Sequence, residues 1–178
     1  MRIISGKYKG KRLTAPKKLP VRPTTDMAKE GLFNILRNHY NFSQVSVLDL
    51  FAGTGNISYE FISRGTENIT AVDSHYACLG YIKSIAKELD SNIETVKSDV
   101  YSYLEKVKQS VDIIFADPPY DFTTDQFTKI AALVFENNLL NENGILIIEH
   151  SKHTSLEESP YFGNSRKYGG SIFSFFEK

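Results

Sequence analysis

Asp117-Pro118-Pro119-Tyr120 is the stretch most suited to chemistry, and it follows Val111-Asp112-Ile113-Ile114-Phe115-Ala116, a short apolar run that reads as a buried strand. Two consecutive prolines remove two backbone donors and fix φ, so the Pro118 carbonyl is held at the strand end with no neighbouring N–H competing for it. That carbonyl and the Asp117 carboxylate are pure acceptors, and the Tyr120 ring beside them suits a flat partner. An exocyclic amino group on a nucleobase, a donor with two hydrogens, fits all three. The competing reading is a strand ending in a Pro-Pro turn with a solvated Asp and a half-buried Tyr. The tetrapeptide alone does not choose between them.

A second group of residues suggests a nucleotide-like ligand. Gly53-Thr54-Gly55-Asn56-Ile57-Ser58 follows an apolar strand and keeps the spacing G-x-G-x-x-S. The third glycine of a dinucleotide fingerprint is missing, which weakens a nicotinamide dehydrogenase reading. The glycines let the backbone approach a ligand, and the unpaired N–H groups of the following helix face it. Asp73 ends the next strand, about 20 residues beyond the glycine loop, where a carboxylate accepts from both hydroxyls of a ribose. Asp49 lies inside an otherwise apolar strand, and a buried carboxylate needs partners. The glycine-loop N–H groups or a ligand ammonium are the expected ones. Asp99 closes the third strand, either accepting from an adenine amino group or capping the next helix.

The elements that position these residues alternate. Strands are expected over residues 45–51, 69–73, 93–97, 111–116 and 144–149. Helices are expected at about 56–65, 76–89, 100–107 and 125–135. The alternation implies an α/β fold with a doubly wound, Rossmann-like, mostly parallel sheet and ligands at its carboxyl edge. Tyr161 to Tyr168 and Ser171 to Phe176, about Gly169-Gly170, read as a hairpin adding antiparallel strands at the sheet's edge. At the N-terminus, Arg2 to Ser5 and Gly10 to Thr14 read as a second, small hairpin. Pro16, Pro20 and Pro23 keep the chain extended up to Thr24 and Thr25, either of which can cap a helix carrying Ala28, Leu32, Ile35 and Leu36.

With 178 residues, one α/β domain with an appendage is expected: an N-terminal extension over 1–40 and a main domain over 41–178. Net charge is zero but segregated: residues 1–30 hold nine Lys or Arg against two acids, a net +7, leaving −7 for the remainder. A basic arm for a polyanion on an acidic body follows, and the interleaved Ile3, Ile4, Tyr8 and Leu13 argue against a disordered tail. Arg22, Thr24 and Lys29 fall at or near a helix N-terminus, suited to a phosphate. The single cysteine, Cys78, excludes an internal disulfide. No run approaches the roughly 20 apolar residues of a membrane span, and there is no signal-like stretch, so a cytoplasmic protein without membrane contact is expected. His39, His75, His150 and His153 show no metal spacing, and no metal is expected.

Val47-Leu48-Asp49-Leu50-Phe51-Ala52-Gly53-Thr54-Gly55 together with Asp117-Pro118-Pro119-Tyr120 resembles the S-adenosylmethionine-dependent amino-methyltransferases. The whole chain resembles the bacterial family that methylates N2 of a guanine in 16S ribosomal RNA. Met1-Arg2-Ile3-Ile4-Ser5-Gly6, Lys9-Gly10, Leu13, Arg22-Pro23-Thr24, Glu30-Gly31-Leu32-Phe33-Asn34-Ile35-Leu36 and Ser63-Arg64-Gly65 carry that likeness. Two departures stand out: Asp73 where the family usually has Glu, and the start of the helix at Asn56-Ile57-Ser58-Tyr59-Glu60-Phe61.

The resemblance implies a class I methyltransferase domain that takes S-adenosyl-L-methionine. Asp49, Phe51, Ala52, Gly53, Gly55, Asp73 and Asp99 would bind it. Asp117 and the Pro118 carbonyl would accept the amino hydrogens, Pro119 would fix the turn, and Tyr120 would stack on the base. Arg2, Lys7, Lys9, Lys11, Arg12, Arg22, Thr24 and Lys29 would hold the RNA. The partner would be 16S rRNA within a small-subunit ribonucleoprotein particle, met by a monomer. Cys78, in the helix after the second strand and away from the Pro-Pro turn, disfavours carbon methylation by a thiolate. A DNA amino-methyltransferase usually carries a target-recognition segment for which this chain has little room. A protein glutamine methyltransferase typically has Asn in place of Asp117. A catalytically silent RNA-binding module is the alternative of another class.

Overall fold

In a computed structural model of the chain, residues 1–16, 18, 19 and 24–178 are described. The elements run α1 (Asp26–Leu36), β1 (Ser46–Leu50), α2 (Asn56–Ser63), β2 (Asn68–Asp73), α3 (Tyr76–Glu88), β3 (Glu94–Lys97) and α4 (Val100–Lys106). They continue with β4 (Val111–Ala116), α5 (Thr124–Glu136), β5 (Leu140–Ser151), β6 (Phe162–Tyr168) and β7 (Ser171–Phe176). The seven strands form one sheet in the order β3-β2-β1-β4-β5-β7-β6. The first five are parallel, and β7 joins β5 and β6 antiparallel, as the Gly169-Gly170 hairpin foretold.

Alternate residues of a strand face opposite sides, so Val47, Ile113 and Phe115 pack with α1, α2 and α3, whereas Leu48, Leu50 and Ile114 pack with α4 and α5. Both faces are covered, which is why the central strands read as unbroken apolar runs. Crossovers between parallel strands bring every helix N-terminus of this core back to the carboxyl edge of the sheet, where loops converge.

The N-terminal hairpin is looser than its alternation suggested. A single antiparallel bridge, Arg2 to Arg12, replaces two strands. The reason is local: Ile4 N–H donates to the Glu60 carboxylate at 2.7 Å and the Ser5 carbonyl accepts from Ser63 Oγ at 2.5 Å, so these groups face α2 instead of each other. Ile3, Leu13, Leu32, Phe33 and Leu36 join the same apolar cluster as Phe61 of α2. Of the two threonines, Thr25 caps α1, accepting from Ala28 N–H at 3.2 Å.

Candidate active site

At the carboxyl ends of β1, β2 and β4 a cavity of about 530 Å³ opens. Each wall follows from local sequence. After β1 the chain turns through Phe51 (φ 56°) and Gly53 (φ 54°) into Gly55 (φ 78°), the residue preceding α2. A side chain at Gly55 would put Cβ 2.8 Å from the Tyr59 ring, so glycine is required there for space as well as for φ. Asp73 fixes this loop from the neighbouring strand: Oδ2 accepts from Gly53 N–H at 2.8 Å and Oδ1 from His75 N–H at 2.7 Å. Each oxygen keeps acceptor capacity for a ligand hydroxyl.

Asp49 is buried, but its partner is Ser58 Oγ at 2.6 Å, not the glycine loop. Ser58 occupies the position where a dinucleotide fingerprint has its third glycine, and here it donates to the acid one strand away. Burial pushes the Asp49 carboxyl up to about 7 despite the Ser58 hydrogen bonds.

After β4, Asp117 N–H donates to the Leu50 carbonyl at 3.3 Å and Phe122 N–H to the Pro119 carbonyl at 3.1 Å, which pins the tetrapeptide beside the glycine loop. Asp117, Pro118, Pro119 and Tyr120 all line the cavity, with Asp49, Phe51, Ala52, Gly53 and Asp73. Pro118 is buried and Asp117 half-buried, while Tyr120 keeps 37% of its surface exposed.

Several expected site residues lie elsewhere or act differently. Asp99 is not among the cavity-lining residues; it caps α4, accepting from Ser102 N–H at 3.0 Å. Cys78 does line the cavity, contrary to the distance expected from its place in the chain. It still does not supply a thiolate, because burial and then the Asp73 charge push the thiol up to about 11. Thr24 is a buried cavity-wall residue, not a surface contact.

Lys29 is the largest correction. It is 1% exposed and donates to the Arg2 carbonyl at 2.5 Å, Asn56 Oδ1 at 2.9 Å and Glu60 at 3.0 Å. Arg64 completes the pair from the other side of Glu60. A lysine engaged by three internal acceptors does not reach RNA. Arg2 pairs with Asp26 at 3.0 Å and Lys11 with Glu88 at 2.7 Å, whereas Lys7, Lys9 and Arg12 are exposed. Arg22 lies outside the described residues. Lys7 N–H bonds Ser63 O at 2.6 Å and the Tyr8 hydroxyl bonds Leu89 O, so the hairpin tip sits at the C-terminal ends of α2 and α3. That is the end of the sheet opposite the cavity.

Four polar residues were not foreseen as partners: Asn56, Ser58 and Glu60 in α2, and Glu149 in β5. The signal was present in α2, where polar residues alternate along a helix buried over its whole length. Among the described residues, no group of His, Cys, Asp and Glu is arranged to hold a metal ion, and no helix is long and apolar enough to cross a membrane.

Known proteins are similar to this chain in fold and sequence. Residues 1–177 match the family model described as Conserved hypothetical protein 95. Ribosomal RNA small subunit methyltransferase D of Buchnera aphidicola subsp. Baizongia pistaciae is 33% identical over 150 residues, 84% of this chain and 75% of that protein. The solved structure of a hypothetical protein from Thermus thermophilus superposes with a TM-score of 0.85 at 25% identity, covering 100% of this chain and 99% of that chain. The 16S rRNA N2 G1207 methyltransferase (RsmC) of T. thermophilus, in complex with AdoMet and guanosine, shares the fold with a TM-score of 0.68 at 20% identity, over 90% of this chain and 45% of that chain. The chain, a class I methyltransferase in fold, thus belongs to the Conserved hypothetical protein 95 family, that of ribosomal RNA small subunit methyltransferase D.

Proposed function

We propose that the protein transfers a methyl group from S-adenosyl-L-methionine to the exocyclic N2 amino group of a guanine in 16S rRNA. The observation that carries this reading is one cavity that joins the glycine loop and Asp73 to Asp117-Pro118-Pro119-Tyr120. The residues present fit the cofactor: a carboxylate for a ribose, a close backbone approach at Gly53, and a volume within the roughly 300–1,000 Å³ of small-molecule sites. When bound, the cofactor supplies an electrophilic methyl group on a sulfonium.

The residues of the chain do the rest. A guanine amino nitrogen shares its lone pair with the ring and is a poor nucleophile. Asp117 and the Pro118 carbonyl accept its two hydrogens, turn the lone pair out of the base plane and stabilise the positive charge that develops on nitrogen. No strong base is needed, because the methylated, cationic nitrogen is acidic and would pass one of its two protons to the Asp117 carboxylate or to water, leaving a neutral methylamino group. Tyr120, with its ring partly exposed, stacks on a base drawn out of its helix or already unpaired. Positioning of the base by Tyr120, Asp117 and the Pro118 carbonyl beside the glycine loop would supply much of the remaining acceleration. Mapping of modified nucleosides in ribosomal RNA from cells with and without this gene tests the reading. Loss of one N2-methylguanosine supports it, and an unchanged 16S rRNA pattern refutes it.

Asp49 gives a pH test of cofactor binding. With its carboxyl at about 7 before binding, a cofactor cation within reach favours the ionised form, so binding releases a proton at lower pH and none well above 7. Affinity is expected to rise from about pH 6 to about pH 8, by at most roughly tenfold per unit, and Asp49→Asn should flatten the profile. Calorimetry in buffers of different ionisation enthalpy reads the proton directly; binding without proton release at pH 6 would contradict the assignment.

The RNA contact is proposed for the exposed cations Lys7, Lys9 and Arg12, with Arg2 and Lys11 contributing less because Asp26 and Glu88 already neutralise them. An RNA whose base enters the cavity must follow the flank of α2, about 12 Å long at 1.5 Å per residue, to meet Lys7 and Lys9. Charge reversal at Lys7 and Lys9 should weaken binding and lower the salt slope by about 0.7 to 0.9 per lost phosphate contact. An unchanged slope in filter binding would remove the hairpin tip from the interface.

A further inference from the structure

Glu149 is a charged side chain 1% exposed, one residue past the Ala116–Ile148 pairing of β4 and β5, and therefore alongside Asp117. A buried carboxylate is costly unless donors surround it. Among the described residues, donors reach it from three separate segments: Thr24 Oγ1 at 2.8 Å from the approach to α1, Ser171 Oγ at 2.7 Å from the start of β7, and the Tyr120 hydroxyl, more distant at 3.4 Å, from the loop after β4. Tyr120 also lies 3.2 Å from Ser171 Oγ; because Ser171 gives its proton to Glu149, the single Tyr120 proton is shared between Ser171 Oγ and the carboxylate. Thr24 ties this group to the cofactor side as well, since its carbonyl accepts from Asn56 Nδ2 at 3.0 Å at the first turn of α2. These contacts converge on the Tyr120 hydroxyl, at the far end of a ring that keeps 37% of its surface exposed.

We propose that Glu149 is a positioning residue that sets the Tyr120 ring plane, through its own carboxylate and through Ser171, and thereby the orientation of the target base against Asp117. The proposal rests on the methyl-transfer reading above. Glu149 touches neither the base nor the cofactor; its effect passes through Tyr120. A carboxylate serving only as internal glue would stabilise the fold equally whether or not residue 120 carried a hydroxyl.

A double-mutant cycle on the full chain separates the two roles. Tyr120→Phe keeps the stacking ring and removes the hydroxyl, and Glu149→Gln keeps the shape and removes the charge. Each is measured, with the double variant, for kcat and KM on small-subunit particles, for the cofactor Kd and for Tm. Each single change is expected to lower kcat about tenfold with cofactor Kd within about twofold, and the double variant should be no slower than the slower single one. Ser171→Ala in place of Glu149→Gln should give the same non-additivity, which keeps the test open if Glu149→Gln folds poorly. Losses in kcat that multiply, or that follow Tm instead of the hydroxyl, would overturn the proposal. A wild-type protein that methylates no guanine amino group would instead remove the reading beneath it, and the positioning role with it.

Discussion

Asp117→Ala is expected to lower kcat by about 10²- to 10³-fold while the dissociation constant of S-adenosylmethionine stays within about twofold. The size follows from the role proposed for the side chain, an acceptor meeting charge that exists on nitrogen in the transition state but not before it. The cofactor side should be spared because the loop is held by its backbone. Asp117 N–H bonds Leu50 O, Phe122 N–H bonds Pro119 O, and Gly53 is fixed by Asp73 instead. Asp117→Asn keeps an acceptor oxygen and is expected to fall between wild type and Ala. Single-turnover transfer from labelled cofactor gives the rate and calorimetry the affinity. Equal losses in both would show that Asp117 organises the cofactor site and does not act on the amine.

Glu60→Ala should cost as much stability as truncating a large core side chain. Glu60 is fully buried, takes the Lys29 ammonium and the Ile4 N–H on one oxygen, and meets Arg64 with the other. Burial already lowers the Lys29 pKa, with Glu60 the chief opposing influence. Without Glu60 a buried cation keeps only Asn56 and a carbonyl. Breaking one side of such a pair costs about 3–5 kcal/mol, which in a chain of this size lowers Tm by on the order of 10 °C. Replacing both members by apolar residues, Lys29→Met with Glu60→Leu, should recover much of the loss, because the desolvation penalty of both ions disappears. Denaturant unfolding measures both; a Glu60→Ala variant within about 1 kcal/mol of wild type would show that the network adds little.

The contrast between these residues marks what sequence reading can reach. The place of Asp117 and Asp73 on the cavity wall was legible because each sits at a strand end marked by its neighbours: two prolines in one case, the distance from a glycine loop in the other. The sheet was legible for a related reason, since strands covered on both faces leave apolar runs whose shortness and flanking turn residues separate them from helices. Lys29 was not. In a stretch with nine basic residues it looks solvated, and only the docking of α1 against α2 brings Glu60, 31 positions later, onto its ammonium. Cys78 was assigned to the correct helix, yet its exposure to the cavity depends on how α3 leaves β2 through Ser74 and His75, which no periodicity reports. Asp99 went the other way: the local capping bond, readable from its neighbours, describes its position better than a ligand role. Glu149 needed β7 to be placed between β5 and β6, a pairing order invisible along the chain.

The most direct test is a crystal structure with S-adenosylmethionine, or a non-transferring analogue, together with guanosine. The sulfur-bound methyl group should face the space between Asp117 and the Pro118 carbonyl, with the guanine N2 within about 3–3.5 Å of it and the base against the Tyr120 ring. A sulfonium directed away from the tetrapeptide, or a base bound with its amino group remote from both acceptors, would contradict the mechanism at its root.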